Sequence, residues 1–234
     1  MENSKPFDPF LTARMLVVSV ATLLATLGAY ADEYTDVYGQ TWTYEVSSGT
    51  NVKLTGVVKK NLAYDAANFP WTFTNNDTSY TVTEVGSAGA ADGDGAFQNW
   101  TTLTGTLTIP DSVVAIGGYA FKNTGIEKIA SLGNATINFR AFHSTKLNGA
   151  LKANKGEWRI EAAAFQDSTL SAFYAPGPDA GNSRISVKQT FRGAYSLKVA
   201  FFERSAYSGQ TPFETISKRR SASVPLGDVL FLTP

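Results

Sequence analysis

Few residues in this sequence are of the types that carry out chemistry. The 234-residue chain has no cysteine and one histidine, His143, which excludes disulfides, cysteine-ligated zinc, thiol catalysis and iron–sulfur clusters. A single histidine also argues against a zinc enzyme or a Ser-His-Asp hydrolase, and we expect His143 to face outward within a series of polar residues. The nearest carboxylates for acid–base work are Glu161 and Asp167, and no supporting motif surrounds them. We therefore expect no enzyme, no catalytic residues and no cofactor.

Two charged segments are candidates for ligand binding. The segment Asp92-Gly-Asp94-Gly places alternating carboxylates that could converge on a calcium ion. It lacks the third ligand and the later glutamate of an EF-hand, so we favour a solvated, glycine-rich insertion and expect no metal site. The run Lys218-Arg-Arg220 could contact an acidic glycan or a phosphate surface, although a solvated loop is the favoured interpretation.

Four aromatic residues stand in two strand candidates of the N-terminal part of the chain. Trp42 and Tyr44 alternate along one strand candidate, as do Trp71 and Phe73 along another. Such a set could form a platform for a sugar ring. Aromatic residues that alternate along strands are more often part of the core, which is the interpretation we favour.

Composition and charge indicate a globular chain without a nucleic-acid partner. Hydrophobic residues make up 43% of the sequence and charged residues 17%, which is enough apolar material for a packed core. Twenty basic and twenty acidic side chains balance, and neutralising phosphates needs a basic surplus. The charges are unevenly placed, because residues 32–100 carry three basic and nine acidic side chains while residues 184–234 carry eight basic and three acidic ones.

The first 31 residues are typical of a secretory signal peptide. Arg14 precedes an uncharged apolar run from Met15 to Leu27, and Ala29-Tyr-Ala31 follows as a cleavage site. A retained signal anchor is the alternative, but a span needs about 20 apolar residues. We expect export, cleavage after Ala31, a secreted or cell-surface location, and no stable membrane span in the mature chain.

An internal repeat decides the expected architecture. Phenylalanines, preceded by alanine in four copies and by threonine in the fifth, recur at intervals of 24, 21, 23 and 26 residues: Phe97, Phe121, Phe142, Phe165 and Phe191. An aliphatic residue follows each after five or six positions: Leu103, Ile126, Leu147, Leu170 and Leu197. One repeat cannot bury its own apolar residues, but stacked repeats can. The period predicts a mainly β solenoid (a β-rich α/β fold) of about five rungs over residues 80–202, with the five rings stacked inside.

One copy of the repeat resembles a known family. The run Ile109-Pro-x-Ser-Val-x-x-Ile-Gly-x-x-Ala-Phe121 is similar to the BspA-like leucine-rich repeats of bacterial surface antigens. Later copies keep mainly Ala-Phe and the aliphatic positions, and threonine or serine replaces the cysteine that the family often has three residues after the phenylalanine. The resemblance implies an exported or surface-displayed right-handed superhelix that binds macromolecules and has no catalytic residues.

Segments on both sides of the repeats lack its pattern. Residues 32–79 contain alternating strand candidates, such as Thr41–Val46, and we expect an N-terminal β cap over the first rung. Residues 203–234 are expected to form a C-terminal cap or tail, with a strand at Val229–Leu232. The predicted organisation is therefore a signal peptide, a cap, the repeats and a tail.

A continuous sheet formed by the strands after each phenylalanine is the expected binding face. Aliphatic residues of these strands should face inward, which leaves Lys128, Tyr174 and Lys198 facing solvent. A flat surface of mixed charge suits a protein or glycan partner better than a small molecule. We expect an exported, non-catalytic binding protein that acts in recognition or adhesion at or outside the cell surface. A structural or envelope-assembly protein without a dedicated ligand is the alternative.

Overall fold

The computed structural model describes residues 31–153, 159–175, 184–185, 190–194, 196–202 and 230–232. The chain divides into two compact units, Met1–Ala31 and Asp32–Pro234, and the described residues after Ala31 belong to the second. Most of the predicted signal peptide and the basic run Lys218–Arg220 lie outside the described residues. The helix within the described ranges is a 3-10 turn at Ala66–Asn68, and no helix there has the length and apolar character to cross a membrane.

The described residues form sixteen strands in three sheets, numbered in chain order. The largest sheet contains β1 (Asp32–Thr35), β2 (Thr41–Ser48), β3 (Asn51–Val57), β5 (Thr72–Asn75), β6 (Thr78–Val85), β8 (Ala115–Ile116), β10 (Thr136–Ile137), β12 (Arg159–Ile160) and β14 (Arg184–Ile185). A second contains β4 (Tyr64–Asp65), β7 (Leu103–Thr108) and β9 (Gly125–Ser131). The third contains β11 (Asn148–Lys152), β13 (Thr169–Ala175), β15 (Val199–Phe202) and β16 (Leu230–Leu232). The mainly β prediction is confirmed.

The largest sheet changes from antiparallel to parallel pairing along its length. Strands β1, β2 and β3 form an antiparallel meander, and β3 then pairs in parallel with β6. Strand β6 also forms an antiparallel hairpin with β5, and its last two residues pair in parallel with β8. The segment predicted as a cap thus shares one sheet with the repeats.

Two-residue strands continue this sheet at one strand per repeat. One row of the parallel register, from β6 to β14, contains Val85, Ile116, Ile137, Ile160 and Ile185. The first four of these side chains have at most 1% of their surface exposed. Their β-branched shape suits the pleated, half-buried surface of a strand. The β-branched residue before each repeated phenylalanine, valine in the first rung and isoleucine in the other four, therefore occupies one row of this sheet.

The repeated phenylalanines begin turns that are hydrogen-bonded to one another from rung to rung. The backbone N–H of Phe121 donates to the carbonyl oxygen of Ala141 (2.8 Å), and that of Phe142 donates to Ala164 (2.8 Å). All five rings are fully buried. The ring of Phe142 stacks on Phe121 with a centroid distance of 5.1 Å and on Phe165 at 5.5 Å, with interplanar angles of 7° and 9°. The rings therefore form a column inside the molecule.

Left-handed backbone recurs two residues after every repeated phenylalanine and two residues before three of them. Two residues after the ring, φ is positive at Asn99, Asn123, Ser144, Asp167 and Gly193. Two residues before it, φ is positive at Tyr119, Arg140 and Ala163. Asparagine, aspartate and glycine tolerate this conformation best, because local side-chain bonds or the missing Cβ offset its steric cost. Alternate backbone N–H groups of these turns donate to the next rung, as those of Tyr119, Phe121 and Asn123 do to Phe139, Ala141 and His143.

Candidate functional site

The predicted binding residues lie on two sheets, not on one continuous sheet. Lys128 is exposed on β9, Tyr174 is partly exposed on β13, and Lys198 is exposed just before β15. Strands β9 and β11 contact each other, but no ladder is described between them, so β9 belongs to one sheet and β13 to another. Lys128 is therefore on a different sheet from Tyr174 and Lys198.

Irregular register gives β9 and β13 a buried and a solvent-facing side. Ile126 and Ile129 on β9 and Leu170 and Phe173 on β13 are buried, as expected. Each pair is three residues apart, and a register shift after Ile126 and after Leu170 brings both members to the same side. Tyr174 lies opposite Lys152 in the parallel register, and the Lys152 ammonium is 5.3 Å from the centre of its ring. A cation–π contact of this kind holds the ring in place. Lys152 is a member of this surface that the sequence analysis did not identify.

The acidic segment that resembled part of a calcium loop is bound to a lysine. Nζ of Lys122 donates to both oxygens of Asp92, at 2.6 and 2.7 Å, and Nε2 of Gln98 donates to Oδ1 at 2.7 Å. These hydrogen bonds lower the pKa of the Asp92 carboxyl, and the bond from Lys122 has the larger effect. Among the residues that the structure describes, no group of three histidine, cysteine or acidic side chains is arranged to hold a metal ion. The loop is an ordered part of the surface that an ion pair attaches to the repeat.

The aromatic residues considered as a sugar platform belong to the core. Trp42, Tyr44 and Phe73 are buried, and Trp71 is partly buried and packed against the same cluster. The centre of the Trp42 ring lies 4.8 Å from that of Phe69 in an edge-to-face contact. Aromatic pairs at such distances stabilise a core beyond the burial of their area. These rings are therefore covered by neighbouring aromatic residues.

One carboxylate holds this aromatic cluster together, and the sequence did not identify it. Oδ2 of Asp36 accepts the indole N–H of Trp42 (2.8 Å) and the hydroxyl of Tyr64 (2.6 Å). Oδ1 accepts the backbone N–H groups of Tyr38 (2.9 Å) and Gln40 (3.0 Å). Burial, together with the bond to Asp36, raises the pKa of Tyr64, so the phenol remains a donor. Asp36 is consequently a structural acceptor for four donors.

The side chain of His143 is more buried than the sequence analysis expected. It is 14% exposed, and its Nε2 lies 2.9 Å from Oδ2 of Asp167. Nε2 of Gln166 donates to the same oxygen at 3.1 Å. Glu161, the other carboxylate of the enzyme alternative, pairs with Nε of Arg159. Each of the two carboxylates thus has a basic partner of its own.

The described residues define a mostly β protein whose parallel strands follow a repeat of 21–26 residues. No family model and no curated protein matches this chain. The chain is similar to a solved leucine-rich repeat protein from Bacteroides ovatus, with 20% sequence identity and a TM-score of 0.40. The match covers 71% of this chain and 49% of that protein, so this chain spans about half the length of its structural neighbour.

Proposed function

We propose that this chain is an exported, non-catalytic leucine-rich-repeat protein of the BspA-like kind, which binds a protein or a glycan at or outside the cell surface. The observation that carries the proposal is the shared register of the repeats. Every rung contributes one residue to the apolar row that begins at Val85 and one ring to the phenylalanine column. Such stacking is the architecture of a solenoid, for which we propose a right-handed superhelix. The proposed organisation is a signal peptide (1–31), a β cap (32–79), repeats (80–202) and a C-terminal cap or tail (203–234).

Recognition is favoured over a purely structural role because the sheets present polar side chains on a broad surface. Glu127 and Lys128 are exposed on β9, and Lys152 and Lys198 are exposed on or beside the strands of the third sheet. Solenoids use extended surfaces of this kind to bind macromolecules. A structural or envelope-assembly protein would have the same fold without this binding. A role as an enzyme has no support beyond Glu161 and Asp167, each of which is bound to a basic side chain.

Simultaneous replacement of Lys128, Tyr174 and Lys198 by serine tests the proposed binding surface, which spans the exposed sides of the second and third sheets. We expect the variant to lose binding to any partner found by screening the protein against extracellular-matrix proteins and glycans. The two lysines are exposed and Tyr174 is partly exposed, and surface substitutions of this kind change the free energy of unfolding little. Binding should be measured by surface plasmon resonance, with the thermal midpoint recorded for each variant.

A matched variant in the N-terminal cap serves as the control. Replacing Lys53, Lys59 and Tyr38 by serine also removes two lysines and one tyrosine, from β3 and two loops near it. It should bind the same partner with unchanged affinity. Unchanged affinity in the sheet variant, or an equal loss in both, would contradict the assignment of the binding surface. A protein that binds no member of the screen would favour the structural alternative.

The proposed export also predicts the N-terminus of the mature chain. Cleavage after Ala31 should leave Asp32 as the first residue of the protein recovered from outside the cytoplasm. N-terminal sequencing of that material checks the result. Recovery of a chain that still begins at Met1 would overturn the proposed export route and leave the repeat architecture unaffected.

A further inference from the structure

The third sheet differs from the second in the charge of its solvent side. Strand β9 of the second sheet exposes one acidic residue, Glu127, next to one basic residue, Lys128. In the third sheet, Lys152 is exposed on β11 and Lys198 is exposed directly before β15. The strands of the third sheet contain no aspartate or glutamate within the bounds that the structure describes. The described part of this sheet therefore carries positive charge alone.

A third lysine stands beside the start of these strands. Lys146 is exposed two residues before β11. The carbonyl oxygen of the next residue, Leu147, accepts the hydroxyl of Thr169, the first residue of β13, at 2.6 Å. Asp167, which precedes β13 by two residues, is bound to Nε2 of His143 at 2.9 Å. This carboxylate therefore has a basic partner of its own, and Lys146 adds to the positive charge of the sheet.

Residues with short side chains or none lie between the lysines on this side of the sheet. They are Asn148, Gly149, Ala150, Ser171 and Ala172. Ala150 lies opposite Ala172 in the register, and a Cβ added at Gly149 would meet no heavy atom within 4 Å. The backbone N–H of Lys198 donates to the carbonyl oxygen of Ser171 at 2.8 Å, which places Lys198 beside β13. A linear molecule can therefore cross these strands without displacing a large side chain.

One of the lysines is held in place by an aromatic ring. Nζ of Lys152 lies 5.3 Å from the centre of the Tyr174 ring, which is opposite it in the register. This cation–π contact restricts the long lysine side chain before any ligand arrives, so less conformational entropy is lost on binding. Because an ammonium has three N–H donors, the side turned away from the ring can still donate to an anion. We call Lys146, Lys152, Lys198 and Tyr174 the third-sheet surface.

The class of partner follows from what these strands present. Binding energy between proteins is concentrated in buried aromatic and aliphatic anchors, and lysine is depleted at such interfaces. Among the large apolar side chains that are exposed in the described part of the chain, none lies on β11 or β13. A polysaccharide with repeated anionic groups needs no such anchor, because clustered lysines on a flat surface attract it by charge.

We propose that the third-sheet surface binds an anionic polysaccharide, whose carboxylate or sulfate groups contact Lys146, Lys152 and Lys198. This inference rests on the proposed function and narrows its ligand to one chemical class. The three ammonium groups supply charge-assisted hydrogen bonds to successive anionic groups of the chain that lies across the strands. Tyr174 is a positioning residue, because it acts by holding Lys152.

Two fluorescent oligosaccharides of equal length are the probes, an oligogalacturonate with carboxylates and a heparin oligosaccharide with sulfates as well. Each is titrated into the purified full chain and followed by anisotropy at several salt concentrations. We expect saturable binding of at least one probe, which weakens as salt rises because the charges are screened. The fully methyl-esterified oligogalacturonate, which has the same chain without the charges, should not bind.

Replacing Lys146, Lys152 and Lys198 together by glutamine should weaken binding by at least about tenfold, because three charge-assisted hydrogen bonds are lost. All three lysines are exposed, and surface substitutions of this kind change the free energy of unfolding little. Tyr174→Ser should weaken binding about threefold, since Lys152 loses its cation–π contact. Tyr174→Phe keeps the ring and should bind as tightly as the unmodified chain.

A matched variant outside the third sheet separates this surface from general electrostatics. Replacing Lys53, Lys59 and Arg159 by glutamine also removes three cations, from two strands of the largest sheet and a loop, and should leave the affinity unchanged. Equal losses in the two triple variants, or full affinity in the third-sheet variant, would overturn the proposal. If the third-sheet variant does not fold, Lys146→Gln combined with Lys198→Gln tests the same surface.

Other polyanions and protein partners test the class of ligand. Tighter binding of polyglutamate or of single-stranded DNA than of either oligosaccharide would overturn the assignment of a polysaccharide. A protein partner that depends on Lys128, Tyr174 and Lys198, without binding of either probe, would overturn this proposal and leave the proposed function intact. Binding of a probe that depends on Lys146, Lys152 and Lys198 would support both.

Discussion

Replacing Phe121 by alanine is expected to lower the free energy of unfolding by about 3–5 kcal/mol. Its ring is fully buried, with centroid distances of 5.4 Å to Phe97 and 5.1 Å to Phe142. Removing the ring leaves a cavity in the middle of the column, and the rungs on either side cannot close it because their backbones are joined by hydrogen bonds. Urea denaturation followed by far-UV circular dichroism measures the change.

A second phenylalanine in the repeats provides the control. Phe139 is 41% exposed, so Phe139→Ala should cost less than about 1 kcal/mol. Equal losses for the two variants would contradict the assignment of the buried column. If Phe121→Ala does not fold, Phe121→Leu keeps most of the side-chain volume, and its loss should be about 1–2 kcal/mol.

Replacing Asp36 by alanine is expected to cost about 3 kcal/mol, because it removes the acceptor for two side-chain donors in the aromatic cluster. The indole N–H of Trp42 would lose its bond, while the hydroxyl of Tyr64 would keep one to the carbonyl oxygen of Asn68 at 2.8 Å. Two backbone N–H groups of the adjoining loop would also lose their acceptor. The change is measured by urea denaturation with tryptophan fluorescence as a local signal.

A second aspartate of residues 32–79 provides a control, because its loss removes an exposed hydrogen-bond acceptor. Asp65 is exposed and accepts the backbone N–H of Ala67 at 2.9 Å at the start of the 3-10 turn. Asp65→Ala should therefore cost less than about 1 kcal/mol. A small loss for Asp36→Ala, similar to that for Asp65→Ala, would show that the bonds to Trp42 and Tyr64 contribute little.

Part of the turn geometry could be predicted from the sequence. The residues two positions after the phenylalanines are Asn99, Asn123, Ser144, Asp167 and Gly193, and four of these five are of the types that most readily adopt positive φ. Tyr119 and Arg140, two positions before the rings, also have positive φ. Their residue types indicate nothing of the kind, because bulky side chains rarely adopt this conformation unless the surrounding structure imposes it.

The binding surfaces were the least predictable part of the molecule. Because aliphatic residues face inward, the burial of Ile126 and Ile129 and the exposure of Lys128 could be predicted. The division between the sheets of β9 and β11 could not, since it depends on which backbone groups of successive rungs come within hydrogen-bond distance.

By itself the sequence determined the period, the apolar positions and the mainly β character of this protein. Those features are visible because each rung must supply the same apolar residues to a core shared with its neighbours, so a spatial requirement becomes a repeat along the chain. Tertiary structure alone decided the attachment of Asp92 to Lys122, 30 residues away, and that of Asp36 to Tyr64, 28 residues away. Each of these contacts occurs once, between residues that only the folded backbone brings together, and therefore leaves no periodic pattern in the sequence.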